Sequence, residues 1–251
     1  MEEKKMWDTD IRGGKEEGIS ENGKRQGIWI SWHGNKEKES EGNFKDDEKE
    51  GRWTYWHENG QKAGQGTYKN GKKEGEWTSW HDNGQKLKEG TYKDGSKDGK
   101  RTYWHKTGQK RKEGTYEDGI KIGKWTYWYK SGEKLKEGTW RYGKKEGEWI
   151  YWHENGQKAE EGKWRDDKKD EKWTSWYNNG QNKKEETYRD GTSVGKYTNW
   201  YRNGQKESEG TYKNDEKEGE WTWWYEDGQK KAERNWKDRQ KVGKWTRWYR
   251  D

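Results

Sequence analysis

Cysteine and proline are both absent from this chain of 251 residues. Without cysteine there is no disulfide and no thiolate metal site, and any redox compartment is acceptable. Without proline no ladder donor is deleted, which suits a chain of continuous hydrogen-bonded strands. Apolar residues are scarce as well. They make up 22% of the chain, and aromatics supply most of that. Such a composition cannot build a globular aliphatic core, and no apolar run is long enough to span a membrane. The opening residues Met1-Glu-Glu-Lys-Lys-Met lack the apolar stretch of a secretory signal. A cytoplasmic location is therefore the default expectation, with secretion instead if a leader has been lost.

What is plentiful is charge, 42% of all residues, and tryptophan, 23 copies. A mean hydropathy of −2.04 is that of a disordered chain. Disorder gives no reason for phase, however, and here phase is strict. Trp32, Trp56, Trp80, Trp104, Trp128, Trp152, Trp176, Trp200, Trp224 and Trp248 recur every 24 residues without a slip. A fixed period of this length marks a repeat array. Residues 1–26 read as a degenerate N-terminal half-repeat or cap, and 27–251 as the array. Each half-buried Trp removes ~100 Å² from water, roughly 2.5 kcal/mol, too little to order 24 residues alone. Each repeat must lean on its neighbours.

Within one repeat two turn signals alternate. Asn59-Gly60 recurs as Asn83-Gly84, Asn155-Gly156, Asn179-Gly180 and Asn203-Gly204; Asn70-Gly71 recurs as Asp94-Gly95, Asp118-Gly119 and Asp190-Gly191. Both pairs supply the positive-φ residues of a type I′ hairpin turn. The segments between them are of strand length and rich in Trp, Tyr and Thr. The expected fold is all-β: an elongated, twisted, single-layer antiparallel meander of ten 24-residue hairpin repeats. At ~4.8 Å per strand its roughly twenty strands would span about 95 Å. If both turns are two-residue loops, Trp53 and Gly75 each come opposite Gly66, and Gly51 comes opposite Tyr68. By alternation Trp53, Tyr55, His57, Gly66 and Tyr68 share one face, and Thr54, Trp56, Thr67 and Lys69 the other. Trp125 is then expected to cover Gly138.

The Trp56 position never varies, whereas Arg101 and Tyr197 interrupt the Trp53 position. Two readings of the invariant ladder stay open. It is either a packed structural anchor, bent inward by a bulge after Trp53, or a ligand-facing ladder. Burial is favoured in the middle repeats, because a bare tryptophan row invites aggregation.

The stretch Glu89-Gly-Thr-Tyr-Lys-Asp-Gly-Ser-Lys-Asp-Gly99 resembles the MORN repeat. Gly66, Tyr68, Gly71, Gly75 and Trp77 fit its core pattern, as do Gly114, Tyr116, Gly119, Gly123 and Trp125. The added Trp-Thr-x-Trp-His/Tyr-x-Asn-Gly-Gln-Lys looks more like the bacterial MORN variant that often carries an antitoxin label. The resemblance implies a non-catalytic scaffold or binding surface, with lipid binding proposed for some members. Departures from the pattern mark repeats expected to be looser: Lys36, Asp47, Asp167, Asp215, Glu171, Glu186, Arg234 and Arg239 all stand where glycine is usual. Cooperativity is expected to fall around residues 163–191.

No catalytic constellation is expected, and no cofactor. His33, His57, His81, His105 and His153 share one phase, which puts neighbours ~9.6 Å apart across two strands, too far to share a zinc. Tyr fills that position in the other repeats, as a structural site would allow. No metal site is expected. Basic and acidic side chains are mixed at short range along the chain, so the net charge of +7 reads as spread. That argues against nucleic acid and against a membrane surface. A protein partner or self-association, through aromatic faces and end strands, is the leading expectation. The alternative is an extended polysaccharide stacked on the ladder, with phospholipid ranked behind it.

Overall fold

The computed structural model describes the backbone of residues 5–11 and 14–249, and side chains from residue 15 to 249. Among these residues every regular element is a β-strand. The chain divides into two compact units, Met1–Ile122 and Gly123–Asp251. The first contains β1 (Lys5–Ile11), β2 (Gly14–Glu21), β3 (Lys24–Trp32), β4 (Lys38–Lys45), β5 (Glu48–Trp56), β6 (Lys62–Lys69), β7 (Lys72–Trp80), β8 (Lys86–Lys93), β9 (Ser96–Trp104) and β10 (Lys110–Glu117). The second begins within β11 (Ile120–Trp128) and continues through β12 (Lys134–Arg141), β13 (Lys144–Trp152), β14 (Lys158–Arg165), β15 (Lys168–Trp176), β16 (Asn182–Arg189), β17 (Thr192–Trp200), β18 (Lys206–Lys213), β19 (Glu216–Trp224), β20 (Lys230–Lys237) and β21 (Gln240–Arg247). Within each unit consecutive strands pair antiparallel, so each is a meander of the 24-residue hairpin.

The two turns of a repeat differ. Asn70 and Gly71 both have positive φ, 48° and 71°, as a type I′ turn requires. The turn after β5 is not of this type. Only Gly60 is left-handed there, at 78°. His57 N–H donates to the Gln61 carbonyl at 2.8 Å, Gly60 N–H to the His57 carbonyl at 2.9 Å, and Gln61 N–H to Asn59 Oδ1 at 3.1 Å. This is a three-residue loop closed by a left-handed glycine, with the Asn side chain standing in for backbone.

Two bulges reset the expected register. Trp53 does lie opposite Gly66 and Gly51 opposite Tyr68, but Tyr55 pairs with Gly64 and Trp56 with Lys62, leaving Ala63 as the extra residue. The bulge thus falls after Tyr55, not after Trp53. On the other side of β6, Gln65 pairs with Thr78 and Thr67 with Glu74. The left-handed Gly75 (φ 66°) takes up the slack. Gly66 consequently meets Trp77 rather than Gly75.

That shift creates the repeating contact of the core. The indoles of Trp29, Trp53, Trp77, Trp149, Trp173 and Trp221 each lie on the glycine of the strand before. A Cβ added to Gly66 would sit 2.2 Å from Trp77 Cδ2, and one added to Gly138 would sit 2.2 Å from Trp149 Cδ2. Gly138 is therefore covered by Trp149, not by Trp125. The contact crosses the tight type I′ hairpin, and the bulge at Gly147 swings the following strand's ring over it. Each indole N–H then donates to the carbonyl one residue beyond the glycine: Trp53 to Asn43, Trp77 to Thr67, Trp149 to Thr139 and Trp173 to Lys163, at 3.0–3.1 Å. Edge-on rings fill the remaining flanks, as in Phe44–Trp53 and Tyr68–Trp77, both at 5.0 Å. Trp125 and Trp149 are fully buried and Trp53 is 2% exposed.

At several departures from glycine the replacing side chain makes a contact of its own. Asp47, Asp167 and Asp215 adopt the same left-handed conformation as Gly71. Their Oδ1 atoms accept from the backbone N–H of Arg25, Lys145 and Ser193, at 2.9, 2.8 and 2.7 Å, in the preceding hairpin. Glycine cannot make this bond, so aspartate adds an inter-repeat tie. Glu186 faces Tyr197, whose ring leaves the room an indole would take. The buried carboxylate accepts from Lys184 Nζ at 2.7 Å and Tyr188 OH at 2.6 Å. Burial works to raise its pKa, but these bonds outweigh that and hold it below the ordinary glutamate range. Of the residues that mark 163–191 as weak, Asp167 and Glu171 both stand in the left-handed region, at φ 65° and 57°, and aspartate is the better tolerated of the two there.

Two substitutions test this packing scheme. Gly66→Ala drives a methyl group into the Trp77 ring and should destabilise the first unit by about 3 kcal/mol, the upper end of the overpacking range. Gly191→Asp, at a left-handed turn position with Lys168 beside it, should change stability by less than about 1 kcal/mol. Denaturant unfolding of both variants checks the contrast; equal losses would contradict the scheme.

Candidate functional site

Two of the tryptophan rows differ in exposure. The inner row is closed to solvent from Trp29 to Trp221 and open at Trp245, whereas the ladder residues from Trp32 through Trp224 are half-buried and Trp248 is exposed. The ladder is therefore not the deep structural anchor; the inner row has that part. The reason is geometric. Inner indoles lie flat on glycine, while ladder residues follow the Tyr55/Trp56-type bulge at the strand end and lie beside lysines. Lys38, Lys86, Lys134 and Lys158 place Nζ 5.2–5.7 Å from the ring centres of Trp56, Trp104, Trp152 and Trp176. Each of these lysines also pairs with the glutamate three residues on, at 2.6–3.0 Å.

A polar line crosses every strand beside the ladder. In the first unit Glu41, Thr54, Gln65, Thr78, Glu89, Thr102 and Glu113 succeed one another strand by strand in direct register. In the second, Thr126, Glu137, Ile150, Glu161, Thr174 and Glu185 do the same. Burial works against the charge of Glu137, but hydrogen bonds from Lys134 and Lys124 prevail and keep its pKa below the usual value. A groove of about 510 Å³ in the first unit is lined by Thr78, Glu89, Lys100, Thr102, Trp104 and Glu113. At the corresponding positions of the second unit a groove of about 410 Å³ is lined by Ile150, Glu161, Lys172 and Thr174.

The histidines are engaged at the loop edge. His33, His57 and His153 each bring Nε2 to the carbonyl of the next repeat's ladder residue, Trp56, Trp80 and Trp176, at 2.9–3.0 Å. Tyr129, Tyr177 and Tyr201 donate a hydroxyl to Trp152, Trp200 and Trp224 in the same place. Imidazole and phenol interchange because both carry a donor at the same reach. The turn asparagines add a second tie: Asn59 and Asn155 donate Nδ2–H to the carbonyls of Asp82 and Asn178 at 2.6 Å.

The opposite face departs from an even mixture of charges. Lysines at the Lys49 position lie across the inner aromatic row, Lys49 Nζ 4.0 Å from the Trp53 ring centre, Lys73 4.1 Å from Trp77 and Lys169 3.9 Å from Trp173. Burial lowers the pKa of Lys49, Lys73, Lys136, Lys145 and Lys217. The acids that balance them in the sequence sit mainly on the ladder face and in turns. Folding thus sorts charges that the sequence interleaves.

Six segments of the chain, residues 49–70, 73–94, 97–118, 145–166, 193–214 and 217–238, match the profile of the MORN repeat variant, and together they exceed half its length. The chain belongs to the MORN repeat variant family. Members of this family are repeat scaffolds, generally for protein or membrane-lipid interaction and generally non-catalytic. Comparison with curated proteins gives no match. A chain in the crystal structure of TcdB2-TccC3 aligns with 93% of this MORN chain and 18% of its own length, at 8% identity and a TM-score of 0.19. No helix among the described residues is long and apolar enough to cross a membrane.

The buried lysines and tyrosines set a pH dependence with a definite sign. A lysine whose native pKa lies below its ordinary 10.5 loses its proton first in the folded state, so stability rises as pH climbs toward that value. Tyrosines act in reverse. Burial raises Tyr151 and Tyr197 from 10.0 to about 12, and above pH 10 only the unfolded chain ionises them. Denaturation midpoints should therefore peak near pH ~10 and fall toward pH ~12, with tyrosinate absorbance appearing on unfolding. A steady decline from pH ~8 upward would contradict this.

Proposed function

We propose that this MORN repeat chain is a non-catalytic scaffold that binds protein, a partner or a further copy of itself, along the ladder face. The observation that carries the reading is the split between the two tryptophan rows. One row is spent on the core, and the other stays half-exposed beside a line of threonines and glutamates. Aromatic anchors with a charged rim are the composition of protein interfaces. The Lys–Glu pairs beside Trp56, Trp104, Trp152 and Trp176 can re-pair with charges on an incoming surface at little cost, since exposed pairs are worth ~0–1 kcal/mol.

A second reading rests on spacing. Ladder rings two strands apart, ~9.6 Å, suit an extended β-linked polysaccharide that would stack one sugar face per repeat. The lysines lying against the rings weigh against it, because a flat sugar would have to displace them. Phospholipid ranks third.

The test is a pair of ladder variants, Trp80→Ala and Trp104→Ala, in the full chain. Each should cost about 2 kcal/mol, less than the 3–5 kcal/mol of a fully buried tryptophan. Together they should abolish self-association in a light-scattering concentration series, or the recovery of a specific partner in a pull-down. A wild-type chain that stays monomeric and recovers no partner overturns the protein reading. A change in tryptophan emission on titrating cellulose-, chitin- or glucan-type oligosaccharides would transfer the ladder to the second reading. Flotation with liposomes tests the third.

A further inference from the structure

On the inner face of the first unit, β7 to β10 bring six cations together and no carboxylate. Arg101 stands where other repeats place the inner tryptophan. Its stem lies over Gly90, and the residue is 2% exposed. Its guanidinium is held between Tyr92 and Tyr103, 4.6 and 5.7 Å from their ring centres. Nη2 donates to Tyr92 OH at 2.8 Å, while Nε and Nη1 have no hydrogen-bond partner. Around it stand Lys73, 5.3 Å from the Tyr92 ring, and Arg111 and Lys112, 5.8 and 4.4 Å from the Tyr103 ring. Lys88 pairs in register with Tyr103 from the other side, and Lys97 approaches Tyr116 at 5.0 Å.

None of the six forms an ion pair among the described residues. The contrast with the ladder face, where lysine after lysine has its glutamate, is sharp. Arginine cannot shed its charge, and a buried guanidinium without a counter-charge is costly. The neighbours register the same field. Burial lowers Lys73, with Lys88 and Arg101 adding to it. Tyr103 is brought below its ordinary value, although burial alone would raise it, by its bond to Tyr116 and by Arg101, Lys97 and Lys112. The run is bounded toward the N-terminus, where Lys49 already feels Glu16 and Glu39.

We infer that this patch is a binding site for a compact polyvalent oxyanion, of polyphosphate or polycarboxylate type. Five of the six cations lie 4.4–5.8 Å from three tyrosine rings on consecutive strands, a short cluster that suits a small multivalent anion better than a polymer running along the array. The lysine tips make the first contacts, and the guanidinium N–H groups receive an anion oxygen as the lysine stems move aside. The site lies on the face opposite the ladder, so it stands or falls independently of the proposed function.

Calorimetry on the full chain at low ionic strength tests it, with inorganic triphosphate and citrate as separate probes. One triphosphate or citrate per chain should bind, and the tighter of the two identifies the source chemistry. Arg101→Trp restores the residue usual at this position, so the fold is kept; it should weaken binding by more than about tenfold. The double variant Lys88→Gln/Lys112→Gln should do likewise, while Lys100→Gln/Lys110→Gln on the ladder face should stay within about twofold. Absence of binding by both probes overturns the site. So does equal weakening by the ladder-face variant, or undiminished binding in Arg101→Trp with circular dichroism unchanged.

Discussion

An indole lying on a glycine, with its N–H donated to the carbonyl one residue further on, is the interaction on which both units of this chain depend. A sheet this poor in aliphatic residues has no other means of removing a large apolar surface from water. The glycine gives the ring bare backbone to rest on, the ring shields that backbone from solvent, and the indole donor is satisfied in the same step. Because ring and glycine belong to successive repeats, the contact is also what joins one hairpin to the next. The edge-on tyrosines, the lysine stems over the rings and the stacked turns close the space around it.

The period, the antiparallel hairpins and the type I′ turn at Asn70-Gly71 were legible in the sequence because each depends on local chemistry; the same reading of Asn59-Gly60 failed. Asn70-Gly71 supplies two left-handed residues, whereas the same dipeptide at Asn59-Gly60 supplies one because its loop is a residue longer, and Trp, Tyr and Thr at alternate positions select strands. The identity of the buried row was not legible. Trp53 and Trp56 are equally apolar, and invariance pointed to the wrong one. Burial is decided by the bulges at Ala63 and Gly75, where a single left-handed glycine moves Trp77 over Gly66. The interruptions at Arg101 and Tyr197 mark the buried row because an exception there needs compensation nearby. Glu186 opposite Tyr197 is such a compensation, visible as two departures only 11 residues apart.

Charge shows the same limit. Counted along the chain, lysine and glutamate alternate too closely to define a patch. Read down the repeats, position by position, the Lys49 column is basic in every repeat except at Ser193. The pleat then sends that column to one face and much of the acid to the other. The exchange of His for Tyr at the loop edge was readable in the same way, since two side chains that share little but a donor at similar reach occupy one column.

The ties between hairpins have nearly constant offsets. Turn amides reach back 20 or 22 residues, and His, Tyr and Asn side chains reach forward 23. No repeat holds a partner peculiar to itself in these ties. Excision or duplication of one 24-residue unit leaves every seam with an equivalent neighbour, whereas a change that is not a whole number of units breaks the ties that span it. Such an array can lengthen or shorten in evolution by whole units, so that its reach can be adjusted without redesign of its core.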